Sequence, residues 1–425
     1  MIIHLDLDCF FVSAERTRTP ELRGVPAVVV NRNDTAIFSN EAKPKMAFGD
    51  YRGAFAGPCW YDKFGRSKDW REHFIENGKI RGIVVAASYE ARSHEIKTGT
   101  PLGEALAKCP KLKVLPTDMP FYYGLSKELA DFLQERIPVL EQFSIDEFFG
   151  DLSGWVEDGE VEGFIRDLQA EVYKKLQLPA TIGASSTKAI AKLAAKSTKP
   201  FGTRVVKPGE IAGFIENKPI RALAGIGRQT AAHLERFGVK TLGEAVRAPS
   251  LLEAMGKNGR RILAELKGEG GAGVEPASPR KRIGISRTFD PVNDRAEVRR
   301  RLMVLARHLA FTITSLGLEP THFQMAIGYR YGGGNSLSVE SGRIFSEPLL
   351  RHLVRENLSA LDTLGGSPVT YLGINAGHFA DRHTPRTVSL LNLEDDRKNR
   401  RLSDAAQKLR NKYGVDSLCW AAERG

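Results

Sequence analysis

The sequence is short of cysteine, of long apolar runs and of acid, and each shortage removes a class of protein. Its four cysteines, Cys9, Cys59, Cys109 and Cys419, lie far apart and form no Cys-x-x-Cys pair. That spacing argues against a disulfide framework or a structural zinc site and fits a reducing compartment. The opening Met1-Ile2-Ile3-His4-Leu5-Asp6 meets an acid at once, with no basic stretch before an apolar one, so no secretory leader is expected. No run is long and apolar enough to span a bilayer, and no membrane partner is expected. Acidic residues number 51 against 62 Lys and Arg, giving a formal charge of +11. That excess favours a polyanionic partner, a nucleic acid or an anionic surface. A length of 425 residues with 42% hydrophobic content allows several domains, each with a core.

What is present is an acidic pair inside an apolar stretch, Ser144-Ile145-Asp146-Glu147-Phe148-Phe149. Neighbouring side chains on a strand point to opposite faces, so Asp146 and Glu147 cannot share a face unless a turn intervenes. The flanking apolar runs suggest two strands meeting near the pair. Alone, this would be an ordinary solvated hairpin tip. A third carboxylate changes the reading. Residues 2–7 predict a buried strand carrying Asp6, with Asp8 just after it and Cys9-Phe10-Phe11 entering a helix. An acid at a strand end beside a helix start suits a cation and a phosphate, while Asp8 equally suits a helix cap.

Further along, residues 24–30 and 82–87 predict strands, and between them lie about fifty irregular residues rich in Gly, aromatics and mixed charge, with some helix near Trp70. Those aromatics fit a small satellite core or base stacking. Tyr89 and Arg92, three apart on a helical turn, share a face that could grip a phosphate. An amphipathic helix is predicted over 122–136, a helix over 161–176, a strand over 180–184 and a basic helix over 188–199. In that last helix Lys188, Lys192, Lys196 and Lys199 recur at helical spacing and predict one face, commonly a solvated one but here adjoining the acidic strands, which need counter-cations beside a phosphate substrate.

Leu223-Ala224-Gly225-Ile226-Gly227 predicts two helices joined by a tight glycine turn, a helix-hairpin-helix that offers backbone amides to DNA phosphates. A Gly-rich, then basic, linker follows at 269–284. Beyond it, strand, helix, two strands, helix, strand and a last helix over 403–413 predict an Arg-rich α+β module suited to backbone contact.

Five of these stretches, in this order, resemble the Y-family, DNA polymerase IV-like translesion polymerases: Asp6-Leu7-Asp8-Cys9-Phe10-Phe11, Ser88-Tyr89-Glu90-Ala91-Arg92, Ser144-Ile145-Asp146-Glu147, Lys188-x-x-x-Lys192 through Lys199-Pro200, and the Gly225-Ile226-Gly227 turn. The resemblance implies an α+β, multidomain right-hand polymerase. Its ferredoxin-like palm would span 1–9 and 116–205, small fingers 10–115 with an insertion at about 31–80, a helical thumb 206–268, a linker 269–284 and a little finger 285–425.

It also implies roles for single residues. Asp6, Asp146 and Glu147, with the Leu7 carbonyl, would hold two Mg²⁺ ions, Mn²⁺ being a substitute; paired ions of this kind sit about 3.5–4 Å apart. Phe10, Phe11, Tyr89, Arg92 and Lys199 would bind the nucleotide, Phe11 as the steric gate against a 2′-hydroxyl. Val85 and Gly99 would roof the nascent base pair. Lys192, Gly225 and Gly227 would face the DNA backbone. The implied reaction is error-prone synthesis on primer–template DNA from dNTPs, with low processivity and no proofreading, by a cytoplasmic, nucleoid-associated monomer. Two rivals are a catalytically silent DNA-binding paralogue and a nucleotide cyclase. The intact acids speak against the first, the glycine turn and basic C-terminal module against the second. The sequence departs from the family in the long 31–80 stretch and in Ser93-His94-Glu95. Within that stretch, Asn33-Asp34 and Ser39-Asn40-Glu41-Ala42-Lys43 echo the Tyr89 region faintly. Val388-Ser389-Leu390-Leu391 loosely resembles a sliding-clamp peptide without its Gln and Phe, making a clamp a weakly supported partner.

Overall fold

Ile2–Leu7 is the strand around which the N-terminal unit forms. Its alternation is clean: Ile3, Leu5 and Leu7 are each 1% exposed on one face, while His4 and Asp6 occupy the other. In this computed structural model, which describes residues 1–32, 35–39, 46–47, 60–61, 69–76, 78–270, 273–276, 280–380 and 390–423, the strand is central in a five-stranded sheet. The order is Thr203–Val205, Ala180–Ser185, Ile2–Leu7, Glu147–Asp151, Val139–Gln142. Ile2–Leu7 runs antiparallel to both neighbours, and Val139–Gln142 pairs with Glu147–Asp151 as the expected hairpin.

Helices Met119–Gln134 and Val161–Leu176 bury Tyr122, Leu129, Leu133, Ile165 and Val172 in one core with Ile3, Leu5 and Leu7. On the polar face of the sheet lies helix Lys188–Ser197, capped by the Thr187 hydroxyl. It can approach because residue 183 is glycine: a Cβ there would stand 2.2 Å from the Ala191 carbonyl oxygen. A smaller sheet orders Ile83–Ala87, Ala27–Asn31 and Lys113–Pro116.

A third core gathers short helices between Val206 and Leu266. Here the glycine turn departs from expectation. Only a three-residue 3-10 turn, Ile220–Ala222, precedes it, and helix Arg228–Arg236 follows. Pro219, just before that turn, cannot donate an amide to a longer helix. Gly225 adopts φ +94°, which requires glycine, and Ile226 plugs the core at 6% exposure.

The second unit comprises 279–425 together with the stretches 31–50 and 57–75. Its four-stranded antiparallel sheet orders Arg282–Val292, Val369–Phe379, Pro320–Tyr329 and Gly334–Glu340. Helices Arg295–Ser315 and Glu347–Leu361 carry Leu302, Leu305, Leu309, Leu350 and Val354 into its core. The chain is thus α+β and multidomain.

Two expectations change in this unit. The last helix is Leu393–Tyr413, starting ten residues before the expected 403. Between Leu393 and Leu402 its added turns are polar and lack an apolar stripe. Acids Glu394, Asp395 and Asp396 in the first turn complement the helix dipole, and Asp396 pairs with Arg343 at 2.7 Å. Ile37 and Phe38, expected within a fingers insertion, instead lie in this unit's core, at 1% and 6% exposure. Phe38 meets Phe289 edge-on at 5.7 Å, and its carbonyl accepts from Arg300 at 3.0 Å. Residues 33–34, 40–43 and 388–389 lie outside the described residues, so the faint Tyr89-like echo and most of the clamp-like peptide do too; Leu391, at its end, is 94% exposed.

Candidate active site

Backbone pairing brings the distant acids together. Asp6 stands directly opposite Glu147 on one side and Thr181 on the other, and the Leu7 amide donates to the Asp146 carbonyl at 3.0 Å. Asp146 precedes the strand. It sits in a turn whose hub is the Ser144 hydroxyl, 2.5 Å from Asp146 Oδ1 and accepting the Glu147 amide at 3.1 Å. The turn solves the problem of adjacent acids: Glu147 faces Asp6 from the strand, and Asp146 approaches from outside it.

One ligand atom each from His4, Asp6 and Glu147 lies within 4.8 Å of the others. Lys199 pairs with Asp6, and Lys192 Nζ lies 2.5 Å from Glu147 Oε2. Burial pushes Asp6 up to about 6 despite Lys199, with Glu147 and Asp146 adding to the rise. Burial likewise raises Asp146, against the Ser144 hydrogen bond. Glu147 goes the other way: burial would raise it, but His4 and Lys192 together hold it at about 2. Carboxylates gathered by the fold and met by ammonium groups are a donor set that fits hard divalent cations. The lysines occupy the positions of counter-charge.

Lys188, Lys192, Lys196 and Lys199 do not form one solvated face. Lys188 reaches Glu141 at 2.6 Å and Lys192 reaches Glu147, while Lys196 is exposed. Lys199 lies beyond the helix end, in the loop that closes on Asp6. Lys192, expected on the DNA backbone, has its ammonium at the acidic centre. Periodicity could not show that the helix face opposes a sheet carrying carboxylates.

Asp8 is the residue that sequence reasoning placed least well. It is not the helix cap: Cys9 holds that position, with φ 40° and no side-chain cap. Asp8 is 1% exposed and accepts from Thr181 Oγ1 at 2.9 Å, the Phe201 amide at 2.7 Å and Tyr89 Oη at 3.2 Å. It thereby ties the acidic strand to the Tyr89 helix and the Lys199 loop. Thr181 carried no sequence signal beyond its strand.

Tyr89 and Arg92 do share a face: the guanidinium lies 4.6 Å from the ring centroid and donates to the Ala87 carbonyl at 3.1 Å. Burial and the Asp8 charge push the Tyr89 hydroxyl up, keeping it a donor. Phe11 is half-buried and stacks on Tyr122 at 4.6 Å and 15°; Tyr122 in turn donates to Glu15 at 2.7 Å. Phe10, grouped with the nucleotide contacts, turns its ring into the core at 3% exposure. Val85 and Gly99 come from paired segments, the Gly99 amide donating to the Val84 carbonyl at 2.8 Å, and Gly99 has open space where a side chain would be. Gly227 opens helix Arg228–Arg236, leaving early amides of that helix without helical acceptors.

A sheet presenting cross-strand acids, a helical turn presenting Tyr89 and Arg92 together, and a glycine-turn helical unit fit a nucleotidyl-transferring class. The chain belongs to the impB/mucB/samB family, the Y-family of DNA polymerases: that family matches residues 5–53 and 66–196, and its C-terminal domain matches 280–390. Similar proteins in it include DNA polymerase IV from several organisms. One from Methanoculleus marisnigri is 28% identical over 88% of this chain and 93% of its own length. DNA polymerase IV 1 of Bacillus subtilis is 25% identical over 98% and 91%. The fold agrees with a Y-family DNA polymerase chimera of Dbh and Dpo4, at a TM-score of 0.69 and 21% identity, covering 89% of this chain and 98% of that one. An insertion ternary complex of Dbh DNA polymerase aligns at 0.55 with the same coverage. Among the described residues no helix is long and apolar enough to cross a membrane.

Proposed function

We propose that this Y-family polymerase extends a primer past damaged template by nucleotidyl transfer from a dNTP, releasing pyrophosphate, with Asp6, Asp146, Glu147 and the Leu7 carbonyl holding two Mg²⁺ ions. The observation that carries this reading is the cross-strand register of Asp6 and Glu147, each already met by a lysine ammonium. The ions would supply charge neutralisation at the attacking and leaving oxygens. The chain's own residues do the rest. Lys199 and Lys192 serve Asp6 and Glu147 as counter-charges, and the Lys199 ammonium, on a loop anchored by Asp8, would be placed to meet the triphosphate. Tyr89 and Arg92 present a hydroxyl and a fork of N–H donors from one helical turn, and Arg suits paired phosphate oxygens where Lys acts as a point charge.

Phe11, backed by Tyr122, presents a flat ring against the sugar. Val85 and Gly99 offer little bulk above the base pair, a roof that would admit distorted templates at a cost in fidelity. The Gly225–Gly227 turn and the basic C-terminal unit would address DNA phosphates, which makes binding salt-dependent. Primer extension by wild type and Asp146→Ala tests the mechanism. Wild type is expected to extend and the variant to fail; an equally active variant removes Asp146 from the chemistry. The retained acids and their counter-charges disfavour a silent paralogue.

A further inference from the structure

His4 occupies the polar face of the central strand, two residues before Asp6. It is 1% exposed, enclosed by Phe149 opposite it, whose ring is 4.7 Å away, and by the helix that Gly183 admits. Neither ring nitrogen has a hydrogen-bond partner among the described residues, yet Nε2 stands 3.9 Å from Glu147 Oε2. A buried imidazole without partners is costly, and proteins keep such groups where they serve a purpose. An uncharged imidazole carries a single N–H, on one ring nitrogen or the other. The Glu147 oxygen facing Nε2 favours that nitrogen as its site.

We propose that His4 is a positioning residue: its Nε2–H holds the Glu147 carboxylate in the orientation that receives a cation. The proposal rests on the reading of Glu147 as a metal ligand. In the present arrangement Lys192 and His4 converge on the same oxygen. Beside Lys192, His4 meets that oxygen from the protein side, and a shift of about 1 Å would bring Nε2 within ordinary hydrogen-bond length. Partners that orient a ligating carboxylate typically govern metal affinity or activity by about 10–100-fold.

The test uses the full chain with primer–template DNA. Mn²⁺ affinity is read by electron paramagnetic resonance with a non-reactive dNTP analogue, and kcat and KM for dNTP are measured with Mg²⁺. His4→Phe, which keeps a ring and loses the donor, is expected to weaken Mn²⁺ binding and lower kcat by about 10-fold or more at unchanged KM. His4→Gln, which keeps a donor, should recover most of both. Wild-type affinity and kcat in His4→Phe would overturn the proposal, as would equal losses in both variants. Should His4→Phe not fold, ¹⁵N-histidine spectra of wild type decide: an Nε2–H tautomer is expected, and an Nδ1–H tautomer overturns it. Glu147→Ala separates the two levels. An active Glu147→Ala overturns the metal-site reading together with the His4 proposal. An inactive Glu147→Ala beside an unaffected His4→Phe overturns the His4 proposal alone.

Discussion

Replacing Asp6 with Asn should stabilise the metal-free protein above about pH 6 while removing its cation site. Burial raises the Asp6 pKa from 3.8 to about 6, the Lys199 ammonium only partly offsetting it. A folded-state pKa above the unfolded one means that folding favours the protonated acid. The stability so gained is complete below the unfolded value of 3.8 and is lost as pH climbs through about 6. At about 1.36 kcal/mol per pH unit the gap amounts to about 3 kcal/mol, with about half of it lost between about pH 5 and about pH 8. Asn cannot ionise, yet its oxygen can still accept from Lys199, so the variant escapes that loss. Urea unfolding in chelator, followed by hydrogen exchange of the Ile2–Leu7 amides, reads the N-terminal unit directly. The stability of Asp6→Asn relative to wild type should grow by about 1.5 kcal/mol from about pH 5 to about pH 8. A flat or falling difference refutes the reasoning. Added Mg²⁺ should then stabilise wild type and leave the variant unmoved, because only a folded state that binds the ion gains from it.

Phe11→Ala should raise ribonucleotide incorporation in single-nucleotide insertion assays, and unchanged sugar discrimination would remove the ring from that role. Phe38→Ala should destabilise the C-terminal unit by about 3 kcal/mol, the lower end for emptying a buried aromatic site. Trp420 fluorescence during urea unfolding reads this, and a change within error would place Phe38 outside the core. Gly225→Ala should weaken DNA affinity, since φ +94° strains a side chain and a Cβ would stand 2.8 Å from Arg261 Nη2. Titration of fluorescent duplex at two salt concentrations checks both that loss and the salt dependence; salt-insensitive binding would contradict phosphate contact.

Patterns local to the chain determined a good deal. Alternation in Ile2–Leu7, the apolar runs beside Ser144, and helical spacing in residues 122–136, where the helix found is Met119–Gln134, and in 161–176 each mark an element because neighbouring residues alone decide which face is apolar. The ordered motifs likewise carried the family and the acids. Three matters needed the tertiary structure. Asp8 looked like a cap, and only the approach of Thr181, Tyr89 and the Phe201 amide from elsewhere in the chain made it a buried acceptor. The lysine spacing predicted a face adjoining the acidic strands, but which ammonium meets which carboxylate needed the sheet beneath it, because periodicity gives a face and never its contacts. The arginine-rich last module suggested backbone contact in a groove without saying which arginines make it; Arg410 pairs with Glu347 at 2.5 Å and Arg307 with Asp416 at 2.5 Å, both arginines buried. Sequence counts charge; which charges face DNA and which face each other is set by long-range packing.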